Sequence, residues 1–258
     1  MKTHFCAAPD GARLAYDMQG NGPALLLLHG GGGLYDRRTW HKAGYVARLQ
    51  EDFTVVTLDL RGNGESDKPT SADAYHVDRF YDDVFAVADA CGWERFAVWG
   101  YSFGANVARY LAARSDRISR AVLVGAGFGP TMTPGFTRWL DDYLTTWQPF
   151  IAAQERGELD LSSLPNKDRK VWTNAHVEYW YHCFQAMRDW EAVQPAAMRC
   201  PFLALVGTKN RETHASLTAD HAAIQAAGGE LVVLEGLGHP QEFNQIDSVL
   251  PLVLPFLK

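Results

Sequence analysis

Short, uninterrupted apolar runs recur along the chain, separated by stretches whose apolar residues fall every three or four positions. Ala24 to Leu28, Phe53 to Leu58, Phe96 to Trp99, Ala121 to Val124, Phe202 to Val206 and Leu231 to Leu234 read as strands. Runs of this kind suit strands covered on both faces of a parallel sheet, where alternation of polar and apolar positions is lost. Helical patterns lie between them, near 40 to 50, 76 to 91, 104 to 114 and 215 to 227. Residues 3 to 7 and 12 to 18 read as an opening hairpin around Pro9-Asp10-Gly11,. Strands alternating with helices predict right-handed crossovers and an α/β fold with a doubly wound, mostly parallel sheet.

The alternation breaks between Pro130 and Pro195. About 65 residues there separate two strands expected to be neighbours, too many for an ordinary connection. Helical segments around Phe136 to Ala153 and Lys170 to Trp190 and eleven aromatic residues mark this stretch as a small helical cap. It is expected over the carboxyl ends of the strands, where open α/β sheets bind ligands. Residues 1–129 and 196–258 then form the core and 130–195 the cap. The aromatics can serve as the cap's own core, as pocket lining, or both; Trp180 and Tyr181 are the candidates for substrate contact.

The sequence Gly100-Tyr101-Ser102-Phe103-Gly104 stands between a strand and a helix. That context fits a nucleophile elbow: the turn is sharp and strand and helix approach closely, so glycines flank the serine. A second glycine run, His29-Gly30-Gly31-Gly32-Gly33, follows the Ala24 to Leu28 strand and exposes amides at the same sheet edge. The N–H of Phe103 and that of Gly31 are the expected oxyanion donors, with Gly32 as the fallback and a further substrate contact. A phosphate loop does not fit, since no Gly-Lys-Ser/Thr follows; nor does Gly125 to Pro130 complete a dinucleotide fingerprint. His239, just past the Leu231 to Leu234 strand, is the candidate base,.

These segments, with Asp59-Leu60-Arg61-Gly62-Asn63-Gly64-Glu65-Ser66, resemble the α/β-hydrolase superfamily over nearly the whole chain outside the cap. The resemblance implies that residues 59–66 are a structural loop. Epoxide hydrolases and haloalkane dehalogenases of that superfamily use an aspartate nucleophile where this chain has Ser102, and epoxide hydrolases prefer proline after His-Gly. Ester-, lactone- or carbon–carbon-cleaving relatives fit better. The third triad residue normally follows the strand matching Phe202 to Val206, where this chain carries Asn210, and the alternative acid position reads Gly125-Ala126-Gly127. Asn210 as a neutral orienter, an inactivating change at 210, Glu212 as substitute, and loss of turnover all remain open. If Asn210 weakens catalysis, Asn210→Asp is expected to raise ester hydrolysis at least ~100-fold.

Composition narrows the surroundings. The chain has 258 residues, 47% hydrophobic and 21% charged, with a formal net charge of −6. That is the balance of an ordinary globular chain, without the basic stripe that a phosphate backbone requires. No apolar run approaches the ~20 residues of a membrane span, and no leader pattern is visible, so a cytoplasmic location is expected. Cys6, Cys91, Cys183 and Cys200 lack paired spacing and read as reduced thiols; Glu178 and His182 share a helical face but are too few for a metal site,. The expected protein is thus a serine hydrolase of an ester or lactone with a small, largely apolar or aromatic substrate. It needs no cofactor or metal and has no nucleic-acid or membrane partner; a homodimer is an admissible assembly. The rivals are a carbon–carbon hydrolase or cofactor-free oxygenase on the same scaffold, and a ligand receptor with impaired turnover.

Overall fold

A computed structural model describes residues 2–258. Eight strands, β1 (His4–Ala7), β2 (Arg13–Gln19), β3 (Ala24–Leu28), β4 (Thr54–Leu58), β5 (Phe96–Tyr101), β6 (Ile118–Val124), β7 (Phe202–Gly207) and β8 (Gly229–Leu234), form one sheet. Its order is β1-β2-β4-β3-β5-β6-β7-β8. The opening hairpin pairs antiparallel, β2 joins β4 antiparallel, and every later pairing is parallel. Helices α1 (Arg37–Lys42) and α2 (Tyr45–Leu49) follow β3, α3 (Val77–Ala90) follows β4, and α4 (Phe103–Arg114) follows β5. Three helices, α5 (Pro134–Glu155), α6 (Asn166–Asn174) and α7 (Val177–Met187), stand between β6 and β7. Helices α8 (Arg211–Ala219) and α9 (His221–Ala226) precede β8, and α10 (Gln241–Asn244) and α11 (Ile246–Leu257) follow it.

The run Ala24 to Leu28 has no polar face because both faces are covered. Leu26 and Leu28 enter the core beneath α3 and α4, whereas Leu25 and Leu27 enter that beneath α1, α2 and α11. Successive strand side chains point to opposite faces, so one pentapeptide serves both cores. Where the chain leaves and re-enters the sheet layer, Gly129 and Val193 exchange backbone hydrogen bonds of 2.7 and 3.1 Å, closing the neck of the α5–α7 insertion.

Several predicted helices are divided. The 40 to 50 segment breaks at Gly44, with φ of 85°, and the 170 to 190 segment breaks at His176, with φ of 49°. The 215 to 227 segment starts earlier and is split at Asp220. Helix α11 was not anticipated, because Pro251 and Pro255 punctuate it. Both prolines lie on the exposed side, and burial of Val249, Leu250, Val253 and Leu257 outweighs the lost backbone bonds,.

The 59–66 loop is held by buried charge. Arg37, with no exposed surface, pairs with Asp59, Asp17 and Glu65, and Arg61 pairs with Asp83 and Asp10. Each guanidinium satisfies several carboxylates at once, the arrangement in which a buried charge is tolerated.

Candidate active site

The turn from β5 into α4 holds Ser102 at φ 53° and ψ −113°, one of two non-glycine residues with positive φ among those described. Such backbone strain persists only where the surroundings enforce it. Here a Cβ on Gly104 would stand 2.6 Å from the His29 carbonyl oxygen, and a Cβ on Gly100 would stand 2.5 Å from the Ala105 nitrogen. Backbone bonds from Ser102 to the Val124 carbonyl (2.8 Å) and from Gly104 to the His29 carbonyl (3.0 Å) fix the elbow.

The Ser102 Oγ lies 2.8 Å from His239 Nε2. His239 sits on the loop after β8, its ring stacked on Tyr101 at 5.1 Å, while the Tyr101 hydroxyl donates to the His239 carbonyl at 3.0 Å. The other ring nitrogen, Nδ1, is 2.8 Å from Oε2 of Glu242, a carboxylate with no exposed surface. Glu242 also accepts from the Gly207 N–H at 2.7 Å and from the Asn210 amide at 3.0 and 3.2 Å. With a carboxylate as acceptor, Nδ1 carries the proton and Nε2 presents its lone pair to the serine hydroxyl.

This arrangement corrects the reading of Asn210. Its Nδ2 is 3.1 Å from Nδ1, but two donors face each other across that gap and both point at Glu242. Asn210 therefore does not orient the imidazole directly. Glu212 does not replace it either: its carboxylate is exposed and accepts from the Gly135 N–H at 3.1 Å, at the start of the cap. Glu242 was missed because it follows the base rather than preceding it. The signal was present as Glu three residues after His239, a spacing that one helical turn brings onto one side. Gly125, at the empty alternative acid position, makes room: a Cβ there would stand 2.6 Å from both Glu242 Oε2 and His239 Cε1.

Around Ser102, neither the Phe103 nor the Gly31 N–H has a hydrogen-bond partner among the described residues. Gly32 has φ of 77° and open space at its Cβ direction. Trp180, 2% exposed, comes from α7 and lies against the glycine loop: a Cβ on Gly31 would meet its ring at 2.6 Å and the Phe103 Cβ at 2.9 Å. Its indole N–H donates to Asn63 Oδ1 at 3.2 Å, and its ring meets that of Phe103 edge-on at 5.0 Å. Asn63 thus gives the 59–66 loop a contact with the cap that the sequence did not reveal. Tyr181, by contrast, packs on His182, and the charges around it are those of Glu155 and Arg188.

His29 shapes this loop. Nδ1 donates to the Gly30 carbonyl at 2.6 Å and Nε2 accepts the Leu60 N–H at 3.1 Å, the pattern of a neutral ring; complete burial pushes its pKa down. Among the described residues no group of three His, Cys, Asp or Glu side chains is placed to hold a metal ion. No helix among them is long and apolar enough to cross a membrane.

Residues 23–198 match the family model described as the alpha/beta hydrolase fold. A soluble epoxide hydrolase of Corynebacterium sp. is 33% identical over 143 residues, 55% of this chain and 46% of that protein. The chain thus spans between a third and about half of the length of the curated relatives it matches first. Among solved structures, a bottromycin epimerase superposes with a TM-score of 0.78 at 20% identity, covering all of both chains. The enol-lactonase from Burkholderia xenovorans superposes with a TM-score of 0.71 at 24% identity, covering 98% of this chain and 99% of that one. At such identities the two structures establish a shared fold and leave the chemistry to the site.

Proposed function

The chain belongs to the alpha/beta-hydrolase family, and from that premise we propose that it is a serine hydrolase acting on an ester or lactone through an acyl-enzyme on Ser102. The observation that carries this reading is the continuous relay from Ser102 Oγ through His239 to Glu242, with 2.8 Å at each step.

In the proposed reaction Ser102 Oγ attacks the carbonyl carbon as its proton passes to His239 Nε2. The oxyanion accepts from the N–H groups of Phe103 and Gly31, both free of partners among the described residues,. The leaving alkoxide takes the proton from Nε2 as the carbon–oxygen bond breaks. Water then attacks the acyl carbon, giving a proton to Nε2, and the proton returns to Ser102 Oγ on release of the acid. The Glu242 carboxylate, 2.8 Å from Nδ1, stabilises the imidazolium. No cofactor enters this cycle.

Trp180 and Phe103 beside Gly31 form an apolar, aromatic wall next to the carbonyl, which favours small apolar or aromatic acyl groups,. A hydroxyl at 102 favours acyl chemistry over the epoxide opening named for the Corynebacterium relative. The carboxylate of Glu242 supplies beside His239 the negative charge that position 210 lacks, which supports turnover over a ligand receptor.

A fluorophosphonate probe is expected to label Ser102 in the parent and nothing in Ser102→Ala, and a panel of p-nitrophenyl esters and lactones to give turnover. Equal labelling of both proteins would overturn the proposal.

A further inference from the structure

The residue at the superfamily's usual acid position is an amide, yet it is not idle. Asn210 leads into α8, with its N–H bonded to the Gly207 carbonyl at 3.0 Å, and its Nδ2 reaches both oxygens of Glu242, at 3.0 and 3.2 Å. The Gly207 N–H takes Oε1 and His239 Nδ1 takes Oε2. Three donors thus converge on one buried carboxylate, whose salt-bridge partner among the described residues is His239 alone.

We propose that Asn210 is a positioning residue whose neutral amide holds both oxygens of Glu242 in line with His239 and keeps this site to a single negative charge. The inference rests on the serine-hydrolase reading and adds a requirement at position 210. A carboxylate there would stand about 3 Å from Glu242, and two such groups cannot both ionise cheaply. Their charge is offset by a proton kept on the imidazole between them, so the ring is no longer free to accept the serine proton at neutral pH. The superfamily's usual residue would therefore weaken this enzyme, reversing the gain expected of Asn210→Asp from sequence.

Other ionisable groups surround the base. The Tyr101 phenol lies under the His239 ring with Tyr35 and Tyr45 nearby, and burial pushes the pKa of Tyr101 and that of Tyr45 well up, so those two phenols remain neutral. Lys209 is on the same loop as Asn210, bonded through its backbone to Leu237, and Glu235 faces Thr208 on the exposed side. None of them donates to Glu242.

The test measures the rate of fluorophosphonate labelling against pH for the parent, Asn210→Asp, Asn210→Ala, Glu242→Gln and the exchange Asn210→Asp/Glu242→Gln, with thermal melts of each. In Asn210→Asp the acidic limb is expected to move up by about one unit or more, because a second anion stabilises imidazolium. On the acidic side of that limb its labelling then falls roughly tenfold for each unit of the shift. Asn210→Ala is expected to lower the plateau about tenfold, as one hydrogen bond to a charge is lost. The exchange variant, with one charge and one amide again, is expected to label at least ~10-fold faster than Glu242→Gln.

An unmoved limb in folded Asn210→Asp overturns the inference, as does a parental plateau in Asn210→Ala. If Asn210→Asp fails to fold, the exchange variant decides: a rate equal to that of Glu242→Gln overturns the inference. Failure of the parent to label at all strikes the serine-hydrolase reading instead.

Discussion

Replacing Glu242 by glutamine removes one charge without changing shape, and the surrounding donors make the consequence calculable. Gly207 N–H, 2.7 Å from Oε1, is a backbone donor that cannot turn away, so the glutamine oxygen takes that place. The new NH2 then occupies the Oε2 position, 2.8 Å from His239 Nδ1. Two donors cannot share that contact, so the imidazole adopts the tautomer with a bare Nδ1 and a proton on Nε2. That proton faces Ser102 Oγ, and no lone pair remains to accept the hydroxyl proton. Loss of a hydrogen bond to a charged group is worth ~1.5–3 kcal/mol, or about 10- to 100-fold in rate, and sets the lower limit. The tautomer error raises it toward ~10⁴-fold, the scale seen when a triad carboxylate becomes an amide. The assay is p-nitrophenyl ester hydrolysis at mildly alkaline pH, with fluorophosphonate labelling and a thermal melt to establish folding. A folded Glu242→Gln protein within about threefold of the parent would refute the relay, and with it the claim that the acid sits after the base.

Other consequences are smaller but separable. Gly125→Ala puts a Cβ 2.6 Å from His239 Cε1 at a backbone φ of 74°. With strain of ~1–3 kcal/mol plus that contact, kcat is expected to fall at least ~10-fold with little change in KM, and parental kcat would count against the packing argument. The folded-state pKa of His29 is pushed down by burial, so the unfolded chain binds more protons below about 6.5,. Stability is therefore expected to be full above that pH and to fall on acidification. Urea midpoints should drop from neutral pH toward 5, less steeply in His29→Gln; equal slopes would refute the neutral assignment. The thiols of Cys6, Cys91 and Cys200 are pushed up to about 11 by burial, and burial also pushes that of Cys183 well above the usual thiol value. Iodoacetamide at neutral pH is expected to leave the native protein unmodified and to alkylate all four cysteines in urea, as read by mass. Rapid native labelling of any of them would contradict this.

What the sequence determined by itself is local. The pentapeptide Ala24 to Leu28 announces a doubly covered strand because every residue in it is apolar. Gly100-Tyr101-Ser102-Phe103-Gly104 announces a strained turn because only glycine tolerates the backbone contacts at 100 and 104,. His239 could be named from its position after the last strand. The remainder depends on contacts between segments far apart in the chain. Glu242 came to face His239 through the Gly207 amide, the Asn210 side chain and the space left by Gly125, three places outside its own neighbourhood. Trp180 reached the glycine loop through Asn63 and Phe103 in the same way. Helix α11 formed despite two prolines because one face of the sheet needed covering. A backbone preference is felt within a few residues and can be read in order, whereas a buried charge is stabilised only by whatever donors the fold gathers around it.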